Sequence, residues 1–350
     1  MQETKQVRAG LIGYGYSGAT FQAPLIAAVP GLRLAQVCSS KPERVREDFP
    51  GMTVVAEPAL LIGSAEIDLV VVATTNTTHF SLARQALLAG KHVVVEKPFT
   101  VTVQEAAELV ELAEQKKLIL SVFHNRRWDN DFLTLHQAIH SGLLGPVTTF
   151  ESHFDRYRPT VRQRWREQDI PGSGMLYDLG SHLIDQALVL FGLPDSVQCD
   201  MGVQRQGAVA DDFFHLVMRY GARRVILHST MLAHDAGPRF LVHGELGSFT
   251  KFGLDPQESQ LLRGLRPGSS EWGVEAAERH ATLAFTKGEL TVKGAVASLP
   301  GRYEAYYEGM VEAILHGAPP PVGGRDALAV IRIIQMALRS HAEQRVIAYE

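Results

Sequence analysis

Cysteine is scarce in this sequence, and basic residues do not outnumber acidic ones. Its two cysteines, Cys38 and Cys199, lie far apart and lack the close spacing of metal or redox motifs. We therefore predict buried or inert thiols in a reducing cytoplasm, and no metal site. Lys and Arg number 34 against 38 Asp and Glu, for a formal net charge of −4. This balance argues against nucleic acid as the main partner and favours small molecules.

Long apolar runs are missing as well. No run approaches the roughly 18 apolar residues that cross a bilayer. The polar start of the chain, residues 1–6, lacks the apolar stretch of a secretory signal. We expect a cytoplasmic protein with no membrane contact.

The chain is long enough for two domains, and its first third has the pattern of one of them. At 350 residues, of which 45% are hydrophobic, it exceeds what one core commonly holds. Short apolar runs alternate with helical segments up to about residue 123, and the run at 67–73 is almost entirely apolar. Such runs mark strands that are covered on both faces of a parallel sheet. We predict a doubly wound α/β domain of the Rossmann type over residues 1–123.

A Gly-x-Gly-x-x-Gly motif follows the first predicted strand, with glycines at Gly13, Gly15 and Gly18. The first glycine of such a motif makes the turn, the second lets a pyrophosphate approach the backbone, and the third lets the helix pack on the strand. The helix N-terminus then offers N–H groups to the phosphates. The position of the motif, directly after a strand and before a helix, predicts a dinucleotide site.

Residues 124–350 follow a different pattern, with several strand-like segments and few helices. The predicted strands are 147–156, 197–203, 213–220, 224–232, 240–243 and 248–252, and the predicted helices are 131–140, 178–190, 302–316 and 326–344. This pattern indicates an α+β domain with a largely antiparallel sheet. Residues 253–300 are rich in Gly, Pro and charge, so we expect loops and small elements there. The last helix is expected to pack back on the first domain.

The residues after the second predicted strand favour NADP over NAD. NAD sites place an acid about 20 positions beyond the glycines, and positions 38–41 hold none. Ser39, Ser40 and Lys41 offer two hydroxyls and a cation, which suit a 2′-phosphate better than a bare diol. An ordinary helix start is the alternative, because Ser40 and Glu43 also fit a capping box. We predict NADP as the cofactor, with NAD as the alternative.

Polar residues stand at the ends of two further predicted strands. Glu96-Lys97-Pro98 follows the strand at 92–95, at the carboxyl edge where doubly wound sheets bind ligands. Lys97 can donate to a substrate oxygen and stabilise its developing negative charge, although a Glu-Lys pair on its own would be a solvated surface feature. Lys97 is also expected at the cofactor, together with Tyr16, Ser17, Thr74, Thr75, Asn76, His79 and Glu96. For His79, a local capping or packing role is the alternative.

A predicted helix in the second domain carries Asp178, His182 and Asp185 at positions i, i+4 and i+7. This spacing places the three side chains on one helix face. Carboxylates one turn away raise the proton affinity of a histidine and orient its ring, as a general acid/base requires. Metal binding is the weaker alternative, because three ligands along one helix rarely surround an ion, and a structural polar face is another.

Smaller signals lie around the start of the second domain. Arg126 either holds an anion or pairs with a carboxylate. The run Arg162–Arg166 either forms a loop over the pocket or is solvated. We assign His124 and Arg126 to the substrate, and Arg126 and Trp165 to the cofactor.

Taken together, these motifs resemble those of the Gfo/Idh/MocA oxidoreductases, the glucose-fructose oxidoreductase and inositol dehydrogenase family. Gly-x-Gly-x-x-Gly, Glu96-Lys97-Pro98 and Asp178-x-x-x-His182 occur in the family order, and the resemblance covers nearly the whole chain. It implies that Lys97 contacts the reacting oxygen, that His182 exchanges the substrate hydroxyl proton and that Asp178 supports them. It also implies an open sheet in residues 124–350 that binds substrate and often forms a dimer interface.

The segments 123–128 and 177–182 are most similar to the branch that includes NADP-dependent scyllo-inositol dehydrogenases. This implies hydride transfer between NADP and a secondary alcohol or ketone of a polyol, cyclitol or sugar, in a homo-oligomer such as a dimer or tetramer. A non-catalytic sensor of dinucleotides or sugars is the alternative. A sensor does not need the combination of Lys97, Asp178 and His182, so we favour the enzyme.

Overall fold

The computed structural model describes residues 6–349 of the chain. Residues 1–5, most of the polar segment in which no secretory signal is expected, lie outside this range, as does Glu350. Among the described residues, no helix combines the length and apolar character that a membrane crossing requires. The chain divides into two compact units.

Six parallel strands form the sheet of the first unit, in the order β3-β2-β1-β4-β5-β6. The strands are β1 (Val7–Ile12), β2 (Leu32–Cys38), β3 (Thr53–Val55), β4 (Leu69–Val72), β5 (His92–Val95) and β6 (Leu120–Val122). Strand order reverses between β1 and β4, and ligands of doubly wound sheets bind at such a switch point. Residues 69–72 and 93–95 are fully buried. The parallel, doubly wound sheet predicted from their apolar runs is therefore confirmed.

Five helices connect these strands. They are α1 (Ala23–Ala28), which follows a π-helical turn at Gly18–Gln22, α2 (Pro42–Asp48), α3 (Pro58–Ile62), α4 (His79–Leu88) and α5 (Val103–Lys116). The capping box considered as the alternative for Ser40 and Glu43 does not form, because the N-cap of α2 is Lys41 and no side chain caps it. A capping box does open α5, where Thr102 and Glu105 bond each other's backbone N–H groups at 3.2 and 3.1 Å.

A nine-stranded sheet forms the second unit, in the order β14-β13-β12-β11-β7-β10-β9-β8-β15. The strands are β7 (Val147–His153), β8 (Ser196–Gly202), β9 (Phe213–Tyr220), β10 (Arg223–Thr230), β11 (Phe240–Gly244), β12 (Gly247–Lys251), β13 (Ala281–Lys287), β14 (Leu290–Val296) and β15 (Ile347–Ala348). Strands β7 and β10 pair in parallel, and the other neighbours pair antiparallel. The prediction of a largely antiparallel sheet is confirmed.

The two faces of this second sheet differ in exposure. Alternate residues of β9 and β10 are fully buried, and the residues between them are partly exposed. The buried set consists of Phe214, Leu216, Met218, Val225, Leu227 and Ser229. The partly exposed face is called the outer face below.

The remaining helices are distributed between the units. They are α6 (Asn130–His140), α7 (Ser181–Phe191), α8 (Gln257–Leu262), α9 (Glu304–His316) and α10 (Gly324–Glu343). Residues 257–272 and 302–328, which include α8 and α9, cluster with residues 1–128 in the first unit. On α9, Tyr306 is fully buried and its hydroxyl lies 2.7 Å from Ser121 Oγ. The first unit thus extends beyond the contiguous segment 1–123.

The last helix is shared between the units. Its start clusters with the first unit, where Arg325 pairs with Glu114 of α5 at 2.7 Å. From Ala329 onward it clusters with the second unit, where Ser340 Oγ accepts the Cys199 N–H at 3.0 Å. The first turn of this helix is thus the part that packs within the first unit.

Residues 253–300 contain more regular structure than the sequence indicates. They hold α8 and the seven-residue strands β13 and β14. Strand β14 is exposed along nearly its whole length, so it lacks the alternation of buried apolar residues by which a strand is recognised.

Candidate cofactor and active site

Strand β1 ends in the glycine loop, and the three glycines meet different surroundings. Gly13 has a φ of +97°, and a Cβ there would lie 2.6 Å from the Ala73 carbonyl oxygen. A Cβ at Gly18 would collide with the Gly13 carbonyl oxygen. At Gly15 a Cβ would meet no protein atom within 4 Å. Backbone packing therefore requires Gly13 and Gly18, whereas Gly15 borders open space, as expected where a pyrophosphate approaches the backbone.

The buried carboxylate of Glu96 joins this loop to Lys97. It accepts hydrogen bonds from the Ser17 hydroxyl, from Gln22 Nε2 at 2.5 Å and from the Lys97 backbone N–H at 3.0 Å. The Tyr307 hydroxyl donates in turn to Gln22 Oε1. The structure therefore brings together Ser17, Glu96 and Lys97, which the sequence predicts separately. Gln22 and Tyr307 were not predicted, although a glutamine near the apolar stretch Ala23–Ala28 was a signal for a buried polar contact.

His79 bridges the segments that follow β4 and β5. Its side chain is buried, with Nδ1 2.9 Å from the Pro98 carbonyl oxygen and Nε2 3.3 Å from the Thr74 carbonyl oxygen. Burial lowers the pKa of His79, which favours the neutral ring. The Lys97-Pro98 peptide is cis. This geometry supports the local packing role for His79, and direct contact with the cofactor stays a prediction.

The neighbouring polar segment after β4 is also ordered by local bonds. Thr74 Oγ1 lies 2.7 Å from Thr78 Oγ1, and Asn76 is buried at the start of a 3₁₀ turn, Asn76–Thr78. Thr75 is exposed. These residues lie at the carboxyl end of β4, as the sequence predicts.

Glu258 of α8 connects two predicted site residues, Tyr16 and Arg126. The Tyr16 hydroxyl donates to Glu258 Oε1 at 2.7 Å, and Arg126 Nη2 donates to Oε2 at 3.2 Å. Of the two roles considered for Arg126, the structure shows the carboxylate pair. The adjacent His124 is buried directly after β6. Glu258 was not predicted, because it is distant in sequence from both of its partners.

Residues 39–41, directly after β2, present two hydroxyl groups and one cation and include no acid. Ser40 and Lys41 are exposed, and Ser39 Oγ accepts the Lys41 backbone N–H at 3.1 Å. The Arg44 guanidinium carbon lies 6.0 Å from the centroid of the Tyr14 ring. Arg44, which was not predicted, adds a second cation near the end of β2.

In the second unit, Asp178 lies on a π-helical turn, Leu176–Gly180, that leads into α7. A π turn holds more residues than an α turn, so the uniform period that places Asp178, His182 and Asp185 on one face does not hold through this segment. His182 and Asp185, both within α7, are 3% and 2% exposed. Asp178 is partly exposed and pairs with Arg166, whose Nε lies 3.1 Å from Oδ1.

The predicted run Arg162–Arg166 lines a cleft with Asp178. Arg164 pairs with Glu167 at 2.6 Å, and Glu167 pairs with the buried Arg205 at 3.1 Å. The Arg166 guanidinium carbon lies 4.7 Å from the centroid of the Trp165 ring. Arg164, Arg166, Asp178 and Asp211 are among the residues that line the cleft. Arg164 and Arg166 of the run are thus paired rather than freely solvated, and a role over the substrate pocket stays a prediction.

Asp211 fixes the start of the π turn. Its Oδ2 accepts the Leu176 N–H and its carbonyl oxygen accepts the Met175 N–H, both at 2.9 Å. Burial raises the pKa of Asp211 to about 6, although the backbone bonds act in the opposite direction. Asp211 thus holds the segment that carries Asp178.

Cys38 and Cys199 are free and buried, as predicted for inert thiols. Burial raises the pKa of both thiols. Neither thiol is therefore in the reactive thiolate form near neutral pH.

Both parts of the chain match models of one oxidoreductase family. Residues 7–124 match its NAD-binding Rossmann fold, and residues 136–349 match its C-terminal alpha/beta domain.

Individual proteins are similar over nearly the full length. The chain is 50% identical to the uncharacterized oxidoreductase YdgJ of Escherichia coli, a match that covers 95% of this chain and 96% of YdgJ. It is 40% identical to the NADP⁺-linked scyllo-inositol 2-dehydrogenase IolW of Bacillus subtilis, over 98% of this chain and 96% of IolW. A solved structure of the putative oxidoreductase yvaA from Bacillus subtilis superposes with a TM-score of 0.97 at 39% identity and covers 100% of both chains. The chain therefore belongs to the Gfo/Idh/MocA oxidoreductase family, as its three motifs indicate.

Proposed function

We propose that the protein is an NADP(H)-preferring dehydrogenase that interconverts a secondary alcohol and a ketone on a cyclitol or sugar, for example scyllo-inositol and its inosose. The observation that carries the proposal is the bonding of Glu96, which joins Ser17 of the glycine loop to the backbone of Lys97. Hydrogen bonds of one carboxylate thereby connect the proposed dinucleotide loop to the proposed substrate-binding lysine. A sensor would gain nothing from this coupling.

The residues around the glycine loop fit a dinucleotide. Open space at Gly15 accommodates a pyrophosphate close to the backbone. When bound, the nicotinamide supplies the hydride acceptor or donor, and the protein supplies position and electrostatics. Ser17, Thr74, Thr75 and Asn76 are the chain's proposed contacts to it, together with Tyr16, Trp165 and Arg126.

Proton transfer is assigned to His182, and stabilisation of the charged oxygen is assigned to Lys97. In the oxidation direction, a His182 ring nitrogen takes the hydroxyl proton while the Lys97 ammonium donates a hydrogen bond to the oxygen that gains negative charge. Asp178 and Arg166, paired at 3.1 Å, place a carboxylate in the polar cleft of the second unit. We propose that Asp178 supports Lys97 and His182, and that His124 and Arg126 hold the substrate hydroxyls.

The NADP preference is supported by the segment that follows β2. Ser39, Ser40 and Lys41 provide hydroxyls and a positive charge, and Arg44 adds a second cation. Positions 38–41 hold no acid, so no carboxylate directly follows β2 to accept from the two hydroxyls of an NAD ribose. NADP is also the cofactor in the printed name of IolW.

We further propose that the protein works as a homo-oligomer, a dimer or tetramer, in the cytoplasm. Two buried free thiols suit a reducing compartment. The partly exposed outer face of the second sheet is the proposed subunit contact, because the resemblance to the family implies an open sheet that often forms a dimer interface.

An absorbance assay tests the proposed activity and cofactor together. NADPH and NADH are supplied in parallel with inososes and oxidised sugars, and the loss of absorbance at the reduced nicotinamide band is followed. We expect turnover with at least one keto-cyclitol or oxidised sugar and a higher kcat/KM with NADPH. Faster turnover with NADH would refute the cofactor preference. Dinucleotide binding without any turnover across the panel would favour the sensor.

A further inference from the structure

The outer face of the nine-stranded sheet carries a row of three histidines. His153 of β7 and His215 of β9 are both register partners of His228 on β10, the strand between them. Adjacent strands lie about 4.8 Å apart, so the three rings are neighbours. Sequence analysis predicted no metal site, because these histidines are scattered along the chain and only strand register brings them together.

The carboxylate of Asp155 lies between two of these rings. Its Oδ2 is 3.4 Å from His153 Nδ1, and its Oδ1 is 3.6 Å from His228 Nε2. One ligand atom from each of the three residues lies within 4.8 Å of the other two. We propose that His153 Nδ1, an Asp155 carboxylate oxygen and His228 Nε2 form a binding site for Zn²⁺.

The distances suit a metal better than direct hydrogen bonds. N–H···O bonds cluster near 2.9 to 3.0 Å, and both separations from Asp155 are longer. Zinc bonds of about 2.0 to 2.1 Å in a tetrahedron place neighbouring ligand atoms roughly 3.3 to 3.4 Å apart. The two separations involve different oxygens of Asp155, and the three ligand atoms lie within 4.8 Å of one another, so a metal ion would draw them closer together. Two imidazoles and a carboxylate are also a ligand set that zinc accepts.

Each ligating histidine has an acceptor for its other ring nitrogen. With Nδ1 on the metal, His153 carries its proton on Nε2, which lies 3.3 Å from Glu151 Oε2. With Nε2 on the metal, His228 carries its proton on Nδ1, which lies 3.4 Å from His215 Nδ1. Such partners fix the tautomer of a ligating histidine and raise its basicity.

Asp155 is also held in place by the sheet. Its Oδ1 accepts the Thr230 backbone N–H at 3.1 Å. The side chains of Asp155, His228 and His153 are 9%, 17% and 21% exposed. In the single chain the site is therefore largely shielded from water, and it lies on the outer face proposed above as the subunit contact.

The test uses the full chain after removal of metals with EDTA, titrated with ZnCl₂ by calorimetry at pH 7.5. We expect one Zn²⁺ per chain at the proposed site. His228→Gln and Asp155→Asn should abolish this binding event. Glu151→Gln should weaken it by about 10- to 100-fold. Circular dichroism and thermal unfolding show whether each variant remains folded.

A matched control separates this site from other histidines. His136 and His140 of α6 stack with ring centroids 4.0 Å apart and could bind zinc as an i, i+4 pair. The variant His136→Gln/His140→Gln should keep the one-to-one binding event. Loss of binding in that variant and retention in His228→Gln would overturn the proposal.

A measurement on the unmodified chain removes any dependence on variant folding. Co²⁺ replaces Zn²⁺, and the ring signals of the histidines are followed by ¹H–¹⁵N NMR. Paramagnetic shifts confined to His153, His215 and His228 support the site, and shifts confined to other histidines contradict it. The readout is metal binding, so its outcome is independent of the proposed dehydrogenase activity.

Discussion

Among the three glycines of the loop, Gly15 is the position at which an added Cβ would meet no protein atom within 4 Å. We expect Gly15→Ala to raise the Kd for NADP about tenfold or more, a cost near 1.4 kcal/mol, because its methyl group enters the pyrophosphate space. The thermal midpoint should stay unchanged, since no protein atom lies within 4 Å of the new Cβ. A fluorescence titration and a thermal melt give both quantities.

Gly13→Ala is the matched control for this variant. Its positive φ and the Ala73 carbonyl at 2.6 Å should cost about 1 to 3 kcal/mol of stability. Unchanged NADP affinity in Gly15→Ala would contradict the assignment of the loop.

A substitution at Lys97 tests the proposed catalytic step separately from NADP binding. Lys97→Met removes the proposed donor to the reacting oxygen, so kcat should fall by about 10²- to 10³-fold. The Kd for NADP should stay close to the wild-type value, because the Glu96 carboxylate still accepts from Ser17. The exposed Lys116→Met on α5 serves as the control and should leave kcat unchanged. Full turnover by Lys97→Met would remove Lys97 from the mechanism.

Helix α4 begins at His79, whose side chain contacts the segments that follow β4 and β5. His79→Ala leaves two carbonyl oxygens, of Thr74 and Pro98, without their buried donor or contact, and we expect a loss of about 1 to 3 kcal/mol in the free energy of unfolding. Because the Pro98 carbonyl adjoins Lys97, kcat should fall as well, while the pH profile of kcat keeps its shape. Chemical denaturation and steady-state kinetics measure these effects. A loss of stability with full kcat would limit His79 to packing.

The π turn before α7 should make stability depend on the pH through Asp211. Its pKa in the folded chain, about 6, lies above the usual value of 3.8, so the folded state binds more protons between these values. The stabilisation is fully present below pH 3.8 and is lost as the pH rises through 6. The loss amounts to about 3 kcal/mol.

Denaturant unfolding between pH 4 and pH 7 measures this dependence. Asp211→Asn should flatten it, because an amide does not titrate. An identical pH dependence in the variant and in the parent chain would assign the effect to other groups.

The extent to which sequence predicts these elements follows from burial. Strands β4 and β5 were recognisable because they are buried and every residue except His92 is apolar, whereas the exposed strand β14 carries no such signal. The site residues next to strand ends were predictable because the buried strands before them could be recognised. Their partners were not, because Glu258 meets Tyr16 and Arg126 through tertiary packing that no local pattern encodes.

For the whole molecule, the first unit is assembled from separate segments of the chain. We expect a fragment of residues 1–128 to lack a cooperative thermal transition, because the buried face against Tyr306 and Tyr307 is left exposed. NADP affinity should drop in parallel. The full chain, measured by calorimetry and NADP titration, is the reference. A fragment that melts cooperatively and binds NADP like the full chain would show that α9 is dispensable.

The order in which the units become complete follows from the same arrangement. The chain passes from one unit to the other after residues 128, 256, 272, 301 and 328. During synthesis, the first unit is therefore incomplete until α9 has left the ribosome, when most of the polypeptide has been made. A chimera with a relative that is joined at a single point would divide both units, because each unit consists of separate segments. Substrate range in such a protein is therefore expected to diversify by point substitution and loop change within an intact chain.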